Sequence, residues 1–249
     1  MKEENTVDVG FLDEVAGQGF EEMTQKDVTI PRLLISQQLS DVVQAGTVQV
    51  GHFYNSLTGE DYGTSVKVIV CHFQKVWVEW KPNQGGYVGT YPVGELDGVT
   101  GDVYSGMKHG ENDVIETYTY LVVLADKPEA GYFIFQSTRG NLKYLKAWNT
   151  SMMYLRTPGG KPAPLFAGIW EMSLGKDQNK QGKIYYSCNE NGKSSIHRIG
   201  WVSKDVYTEA ISPARDIASQ AVLLADNRAD TNAIESSPSA AVDNSEPEF

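Results

Sequence analysis

The sequence predicts a mainly β (α+β) fold, in the form of an elaborated OB-like barrel with one inserted helix and a C-terminal helix. Aromatic residues make up 10% of the chain, which also holds 24 glycines and 10 prolines, a mixture typical of short strands joined by turns. Apolar residues alternate along residues 66–80, as in a strand. A strand, a helix and a hairpin follow one another later in the chain, which is compatible with an OB-type barrel.

The predicted organisation is one core between two acidic ends. Residues 1–27 are expected to form a flexible acidic arm, residues 28–224 the OB-like core, and residues 225–249 a disordered acidic tail. The tail is Ala-, Ser- and Asp-rich, and it holds too few apolar residues to fold. Periodicity alone does not distinguish the barrel from a β-sandwich or a jelly roll.

The first half of the core is predicted to be strands. Residues 29–36 and 48–54 are short apolar segments, and Pro31 favours an edge position for the first of them. The alternation in residues 66–80 is interrupted near its middle, so this segment forms either two strands or one bulged strand. Residues 94–113 are rich in Gly and Asp and are predicted to be a long loop.

A strand pair and a helix are predicted next. Residues 117–125 and 132–136 form the pair, around a Pro-Gly-containing turn. The period then changes, and Ser137 or Thr138 can cap a helix that runs to about residue 156, before Pro158.

The core is expected to end in a hairpin, a strand and a helix. Residues 166–174 and 183–188 are predicted to pair as the hairpin, with residues 175–182 as its loop. A strand over residues 195–202 precedes a helix over about residues 204–224.

The helix predicted before Pro158 has two distinct faces. Its apolar stripe consists of Leu142, Leu145, Trp148, Met152 and Leu155. Another face carries Arg139, Lys143 and Lys146, which are four and three residues apart. One face is therefore expected to pack on the core, while the other presents positive charge.

Charge is distributed unevenly along the chain, whose net charge is −11. Residues 1–27 hold two lysines against eight acidic residues, and residues 205–249 hold two arginines against nine. Residues 139–204 hold eleven basic residues against three acidic ones. A basic region between acidic ends indicates binding to a polyanion, and the alternative is a solvated surface of mixed charge.

Several classes of protein are not favoured by the sequence. No segment resembles a signal peptide or a membrane span, so we expect a soluble protein of the cytoplasm. Cys71 and Cys188 lack zinc-type spacing and are expected to be reduced, packed thiols. There is no P-loop, nucleophile elbow or dinucleotide fingerprint, and we therefore expect no catalytic residues, metal or cofactor.

Basic and aromatic residues are interleaved on the predicted strands and helix. Single-stranded nucleic acid requires both, because cations bind the phosphates and flat rings stack on unpaired bases. The predicted DNA-binding residues are Lys75, Trp77, Trp80, Lys81, Tyr87, Tyr91, Arg139, Lys143, Lys146, Lys176, Lys180 and Lys183. For any one of the rings, packing in the core is the alternative. Strand alternation places Trp77 and Trp80 on opposite faces, so one of the two is expected to be in the core.

A weaker pattern suggests a metal-dependent nuclease. Glu79 and Lys81 form a Glu-x-Lys pair on a strand, with Asp61 upstream, and restriction-type nucleases use such residues to hold Mg²⁺ and activate water. Glu-x-Lys also occurs by chance in many strands, and Pro82 follows at once. The nuclease is a lesser alternative.

The acidic tail ends in an aromatic residue. Asp243, Glu246, Glu248 and Phe249 could bind a partner that offers an apolar pocket rimmed by Lys or Arg. The alternative is a solubilising terminus that ends in Phe by chance.

A family resemblance combines these features. The segments Ile30-Pro31-Arg32-Leu33-Leu34, residues 51–60 (GHFYNSLTGE), residues 76–82 (VWVEWKP) and residues 179–186 (NKQGKIYY) resemble those of single-stranded DNA-binding proteins of tailed phages. Such proteins also combine a basic, aromatic β core with an acidic tail ending in Phe. In this chain Pro247 lies one place earlier than in the family pattern, and the tail acids are spread out.

The resemblance implies a role in phage DNA replication or recombination. The core would hold single strands, and the tail would recruit partner enzymes or compete with DNA for the basic groove. A virion structural or assembly protein with a β core is the main alternative. The sequence leaves open a homo-oligomer, a preference for DNA or RNA, the identity of the tail's partner and any role of the N-terminal arm.

Overall fold

The computed structural model describes residues 29–82, 85–103, 106–179, 182–212 and 214–215. The predicted N-terminal arm and C-terminal tail lie outside the described residues, as does the predicted helix after residue 215. Among the described residues, no helix is both long and apolar enough to cross a bilayer.

The fold is mainly β, as predicted. The strands are β1 (Leu33–Ile35), β2 (Phe53–Asn55), β3 (Asp61–Gly63), β4 (Ser65–Trp80), β5 (Tyr87–Pro92), β6 (Val99–Asp102), β7 (Gly106–His109), β8 (Asn112–Leu124), β9 (Tyr132–Thr138), β10 (Gly168–Ser173), β11 (Gly175–Gln178), β12 (Ile184–Ser187), β13 (Asn189–Glu190), β14 (Lys193–Ser194) and β15 (Ile196–Trp201). The helices are α1 (Asp41–Gln44), α2 (Leu142–Met153) and α3 (Lys204–Val206), and a π-helical turn (Tyr207–Ile211) continues α3. Short 3₁₀ turns lie at Pro128–Ala130, Arg139–Asn141 and Leu165–Ala167.

An eight-stranded antiparallel sheet forms the centre of the molecule. Its order is β15-β10-β4-β8-β7-β6, with β5 paired to β4 and β9 paired to β8. The long strands β4 and β8 pair from Val68–Leu124 to Trp80–Asp113. A smaller sheet, β1-β2-β3, and the hairpins β11–β12 and β13–β14 complete the strands. This open order is compatible with a barrel-like fold, and the OB-type topology stays a prediction.

The predicted break in the strand over residues 66–80 is a β-bulge. Val70 pairs with Val122 and His72 pairs with Leu121, so Cys71 is the additional residue of one bulged strand.

Two other predictions about strand pairing are wrong. Residues 94–113 are not a single loop, because β6 and β7 form a hairpin within them. The predicted hairpin of residues 166–174 with 183–188 does not form either. Instead β10 pairs with β4 and β15, and β12 pairs with β11. Local alternation identifies strands but does not identify their partners, which are chosen by packing.

One face of the sheet, which we call the α2 face, carries the larger core. The apolar stripe of α2 packs against it, and the buried residues include Val68, Tyr120, Leu145, Trp148 and Trp170. Tyr120 stacks on Trp148 with ring centroids 4.8 Å apart, and Trp170 meets Trp148 edge-on at 6.1 Å. The predicted stripe of α2 is confirmed, with Leu155 partly buried beyond the helix end.

The opposite face, which we call the α3 face, has a smaller core. Ile69, Leu121 and Val123 of the sheet pack with Ile211 and Ala214, which follow α3.

The thiols of Cys71 and Cys188 are buried and free, as expected, and burial raises the pKa of each to about 12.

The helices α2 and α3 begin differently from each other. The Ser203 hydroxyl accepts a hydrogen bond from the Val206 amide and caps α3, close to the predicted start. Ser137 and Thr138 do not cap α2 as predicted, because both belong to β9. A 3₁₀ turn at Arg139–Asn141 leads into the helix instead.

The Trp148→Ala variant is expected to lower the free energy of unfolding by about 3–5 kcal/mol, because it leaves a cavity between Tyr120 and Trp170. Urea unfolding followed by circular dichroism measures this loss. Tyr154→Ala, which removes an exposed ring just after α2, is the control and should change stability by no more than about 0.5 kcal/mol. Equal losses in both variants would show that Trp148 is not central to the core.

Candidate nucleic-acid interface

Four lysines surround the contact between α2 and the β11–β12 hairpin, and together they form what we call the basic surface. Lys143 and Lys146 lie on the exposed side of α2, because the apolar stripe of the helix faces the sheet. Lys176 is in β11, and Lys183 directly precedes β12. All four are exposed, and the bond between Tyr144 and Asp177 brings the helix that carries two of them against the hairpin that carries the other two.

Asp177 attaches the hairpin to the helix. The Tyr144 hydroxyl donates a hydrogen bond of 2.6 Å to its carboxylate, and the Tyr185 hydroxyl and the Gln178 amide also donate to it. Burial alone would raise the pKa of Asp177, but these hydrogen bonds hold it below its ordinary value. Burial, and then the bond to Asp177, raises the pKa of Tyr185 to about 12. At neutral pH both tyrosines are therefore donors to an ionised carboxylate.

The four lysines differ in how far their charge is compensated. Lys143 lies 3.5 Å from Asp177 and 4.5 Å from the centre of the Tyr144 ring. Within the part of the chain that the structure describes, Lys146, Lys176 and Lys183 form no ion pair. Their charge remains available to a phosphate, which interacts strongly with an exposed ammonium group at low salt.

Lys176 also lines two open, polar clefts beside the hairpin. One has a volume of about 430 Å³ and is bounded by Gln178, Ile184 and Asn191. The other has a volume of about 470 Å³ and extends to His197 of β15. This second cleft is also lined by Glu190, so it is a polar cleft of mixed charge.

The predicted DNA-binding residues of β4 and β5 are divided between the two faces of the sheet. Phe73 packs on Tyr118 and Tyr120 in the α2 core, so Trp77, four residues later in the same strand, faces the same way. Trp77 pairs with Tyr91, which shares its face. Both rings are half-buried, so part of each remains accessible on this face.

Trp80 lies on the other face, as strand alternation predicted. Its ring meets Tyr87 edge-on at 5.9 Å, and the Tyr87 hydroxyl donates to Thr90 at 3.1 Å. Neither Trp77 nor Trp80 is fully buried, so the expectation that one of them belongs to the core is wrong. The two tryptophans cannot contact the same strand of nucleic acid on one face of the sheet.

Three basic residues of the prediction have other positions. The Lys75 ammonium lies 3.4 Å from Glu116, which compensates its charge. Lys81 is exposed just after β4. Arg139 begins the 3₁₀ turn before α2. Lys180 and the predicted tail residues Asp243, Glu246, Glu248 and Phe249 lie outside the described residues.

Glu79, which the nuclease pattern selected, is the centre of a buried polar network. Its carboxylate accepts hydrogen bonds from His109 at 2.7 Å, Asn112 at 2.7 Å and Tyr91 at 3.1 Å. Asp61, the other acid of the pattern, instead binds His52 at 2.9 Å. Among the described residues, no cluster of three His, Cys, Asp or Glu side chains could hold a metal ion.

The sequence analysis did not select Arg198 and Trp201 of β15. The guanidinium of Arg198 lies 4.6 Å from the centre of the Trp201 ring, and 38% of Trp201 is exposed. The available signal was an arginine three residues before a tryptophan in a strand without acidic residues. It was not distinctive, because a tryptophan in a strand is usually buried.

These features define a mainly β protein with a basic, partly aromatic surface. The chain belongs to the family of Pam3 phage gp34-like proteins, which matches residues 2–222. This supports the phage origin that the resemblance implied, whereas the family description names no ligand. No curated protein and no solved structure matches the chain.

The Glu79→Gln variant is expected to be about 2 kcal/mol less stable than the wild type at pH 5, because an amide group cannot accept from all three donors. Burial tends to raise the pKa of Glu79, but the bonds from Asn112, His109 and Tyr91 lower it below its ordinary value of 4.5. The carboxylate therefore stabilises the fold above that value, and this contribution is lost as the pH falls through the lowered pKa.

Urea unfolding of both proteins between pH 5 and pH 3 measures this difference. The difference in unfolding free energy between the wild type and Glu79→Gln should narrow as the pH decreases. Glu111→Gln, which changes an exposed carboxylate in the turn before β8, is the control and should follow the wild type. A difference that stays constant over this range would contradict the role of the ionised Glu79.

Proposed function

We propose that the protein binds single-stranded DNA with little sequence preference. The observation that carries the proposal is the exposed position of Lys146, Lys176 and Lys183 around the contact of α2 with the hairpin, without ion pairs among the described residues. Cations in this arrangement suit the backbone of a single strand, which can follow an irregular surface.

Other lysines of the molecule support the proposal by contrast. Lys67 lies 3.1 Å from Asp126, and Lys108 lies 2.7 Å from Asp113. Both lysines belong to the sheet and project from the α3 face. Lys67 lies between Val66 and Val68, which face α2, and Lys108 follows Met107, which is buried on the α2 face, so alternation directs both lysines to the other side. These two lysines are compensated by acidic neighbours, and a phosphate chain is therefore attracted more strongly to the lysines of the basic surface that form no ion pair.

Aromatic residues on the same face of the sheet as α2 supply the second requirement. Trp77 and Tyr91 are half-buried on the α2 face, and a base stacked on such a ring contributes about 1–3 kcal/mol. Stacking accepts every base, which is the reason that we expect little sequence preference. A duplex hides its bases and would use the lysines alone.

The biological role that we propose is phage DNA replication or recombination. The phage family and the resemblance of the core segments to phage single-stranded DNA-binding proteins support this role. The C-terminal tail would recruit partner proteins or compete with DNA for the basic surface, since five of its residues after Asp226 are acidic. The protein would act without catalysing a reaction.

A virion assembly protein is the second candidate. It is favoured by Val88, Val93 and Val103, which are each about 40% exposed near β5 and β6. These strands lie at the margins of the sheet, where exposed apolar residues can dock on another subunit. This alternative predicts ordered oligomers and no salt-dependent binding to DNA.

Fluorescence anisotropy with labelled oligo-dT and a matched duplex tests the proposal. We expect tight binding to oligo-dT, weak binding to the duplex, and a steep loss of affinity between about 50 and about 200 mM salt. The double variant Lys146→Gln/Lys183→Gln should weaken binding and reduce the slope of log affinity against log salt by about 0.7 for each lysine.

The matched control is Lys67→Gln/Lys108→Gln, which removes the same charge from the α3 face and should bind oligo-dT nearly as the wild type does. Equal losses in the two double variants would contradict the assignment of the basic surface. Absence of binding by the wild type to either DNA would refute the proposed function, and ordered oligomers in light scattering would then favour the assembly protein.

Truncation of the chain after Asp226 is expected to tighten oligo-dT binding severalfold at low salt, because a tail with five acidic side chains no longer competes with phosphate. The gain should disappear at high salt. Salt titrations of the full and truncated chains measure it. An unchanged affinity at low salt would show that the tail does not compete for this surface.

A further inference from the structure

Arg198 and Trp201 form an exposed cation–aromatic pair on β15. Trp170 is buried in the α2 core and pairs with Arg198, so Arg198 projects from the α2 face of the sheet. Trp201 pairs with Gly168. A Cβ atom on Gly168 would meet the Trp170 indole, so Gly168 and Trp170 share a face, and Trp201 lies on that face too. The guanidinium lies 4.6 Å from the Trp201 ring centre and orients the ring at the sheet edge.

We propose that this pair is a further binding site for single-stranded nucleic acid, in which an unpaired base stacks on Trp201 and Arg198 binds the adjoining phosphate. The inference rests on the proposed function. It extends the binding path from the basic surface to β15, at the edge of the sheet.

The two sites lie on the same face of the sheet, because Arg198 and Trp201 both project from the α2 face. The helix α2, which carries Lys143 and Lys146, packs against β14 and β15. A strand bound to the basic surface can therefore reach Trp201 without leaving the surface of the protein.

The charge around β15 favours a polyanion. Residues 191–204 hold Lys193, Arg198 and Lys204 and no acidic residue, and Glu171, the cross-strand partner of His197, lies on the opposite face from Arg198. A nucleic acid is attracted to such a segment before any specific contact forms. An exposed tryptophan beside an arginine also occurs in protein–protein interfaces. The β-bulge in β15 favours a nucleic acid over another protein as the partner.

The backbone of β15 is poorly suited to strand addition by another protein. Ile169 pairs with Gly200 and Trp170 pairs with Arg198, so Ile199 is the additional residue of a β-bulge. A bulge interrupts the regular row of amide and carbonyl groups that an added strand would need, and the charged side chain of Arg198 opposes such pairing further. The side chains of β15, rather than its backbone, are what it offers to a ligand.

The test is the affinity of full-length variants for oligo-dT at fixed, low salt. Trp201→Ala should weaken binding about fivefold or more, and Trp201→Phe should retain most of the affinity because a ring remains. Ile199→Ala, at another exposed apolar residue of the same strand, is the matched control and should bind as the wild type does. If Trp201→Ala folds poorly, Arg198→Gln tests the site instead. This variant is expected to weaken binding and to reduce the slope of log affinity against log salt by about 0.7.

Tryptophan fluorescence gives a second readout. Saturating oligo-dT should quench the wild-type emission more strongly than that of Trp201→Phe. Wild-type affinity in Trp201→Ala and Arg198→Gln, with weaker binding by Lys146→Gln/Lys183→Gln, would overturn this inference and leave the proposed function intact. Absence of oligo-dT binding by the wild type would overturn both. Unchanged DNA binding with a loss of self-association in Trp201→Ala would instead identify β15 as a protein interface.

Discussion

The bulge at Cys71 in the long β4–β8 pair is the constraint on which the surface of this protein depends. Before the bulge, Val66, Val68 and Val70 face α2, whereas after it Phe73 and Trp77 do. One additional residue reverses the side to which every later side chain points. The bulge therefore places Trp77 and Tyr91 on the face that α2 covers, and it places Trp80 and Tyr87 on the other.

The same strand pair is stabilised by different physical means along its length. Near α2, the sheet is buried under large aromatic side chains such as Trp148 and Tyr120. Farther along, Val76 and Val78 are buried but belong to neither of the two core clusters, and Glu79 joins β5, β7 and β8 through three hydrogen bonds. A buried carboxylate stabilises only when its acceptors are satisfied, so this part of the sheet depends on a specific geometry.

The candidate interface could be predicted from the sequence in part. The lysine face of α2 follows from its period of 3.6 residues, and the hairpin lysines follow from the excess of positive charge in residues 139–204. The role of Asp177, which joins the hairpin to Tyr144, could not be predicted, because Asp177 and Tyr144 are 33 residues apart. Arg198 and Trp201 escaped selection because exposure at a sheet edge depends on strand order, which local patterns do not contain.

Local patterns in the sequence predict most of the strands, the amphipathic helix and the uneven charge, because each of these is a property of neighbouring residues. They do not predict that β10 pairs with β4 and β15 instead of β12, that β6 and β7 form a hairpin within residues 94–113, or that Glu79 is a structural acceptor. These outcomes depend on contacts between residues that are distant in the chain. Such contacts are selected by the burial of apolar surface and the satisfaction of buried polar groups across the whole molecule, and no local period records them.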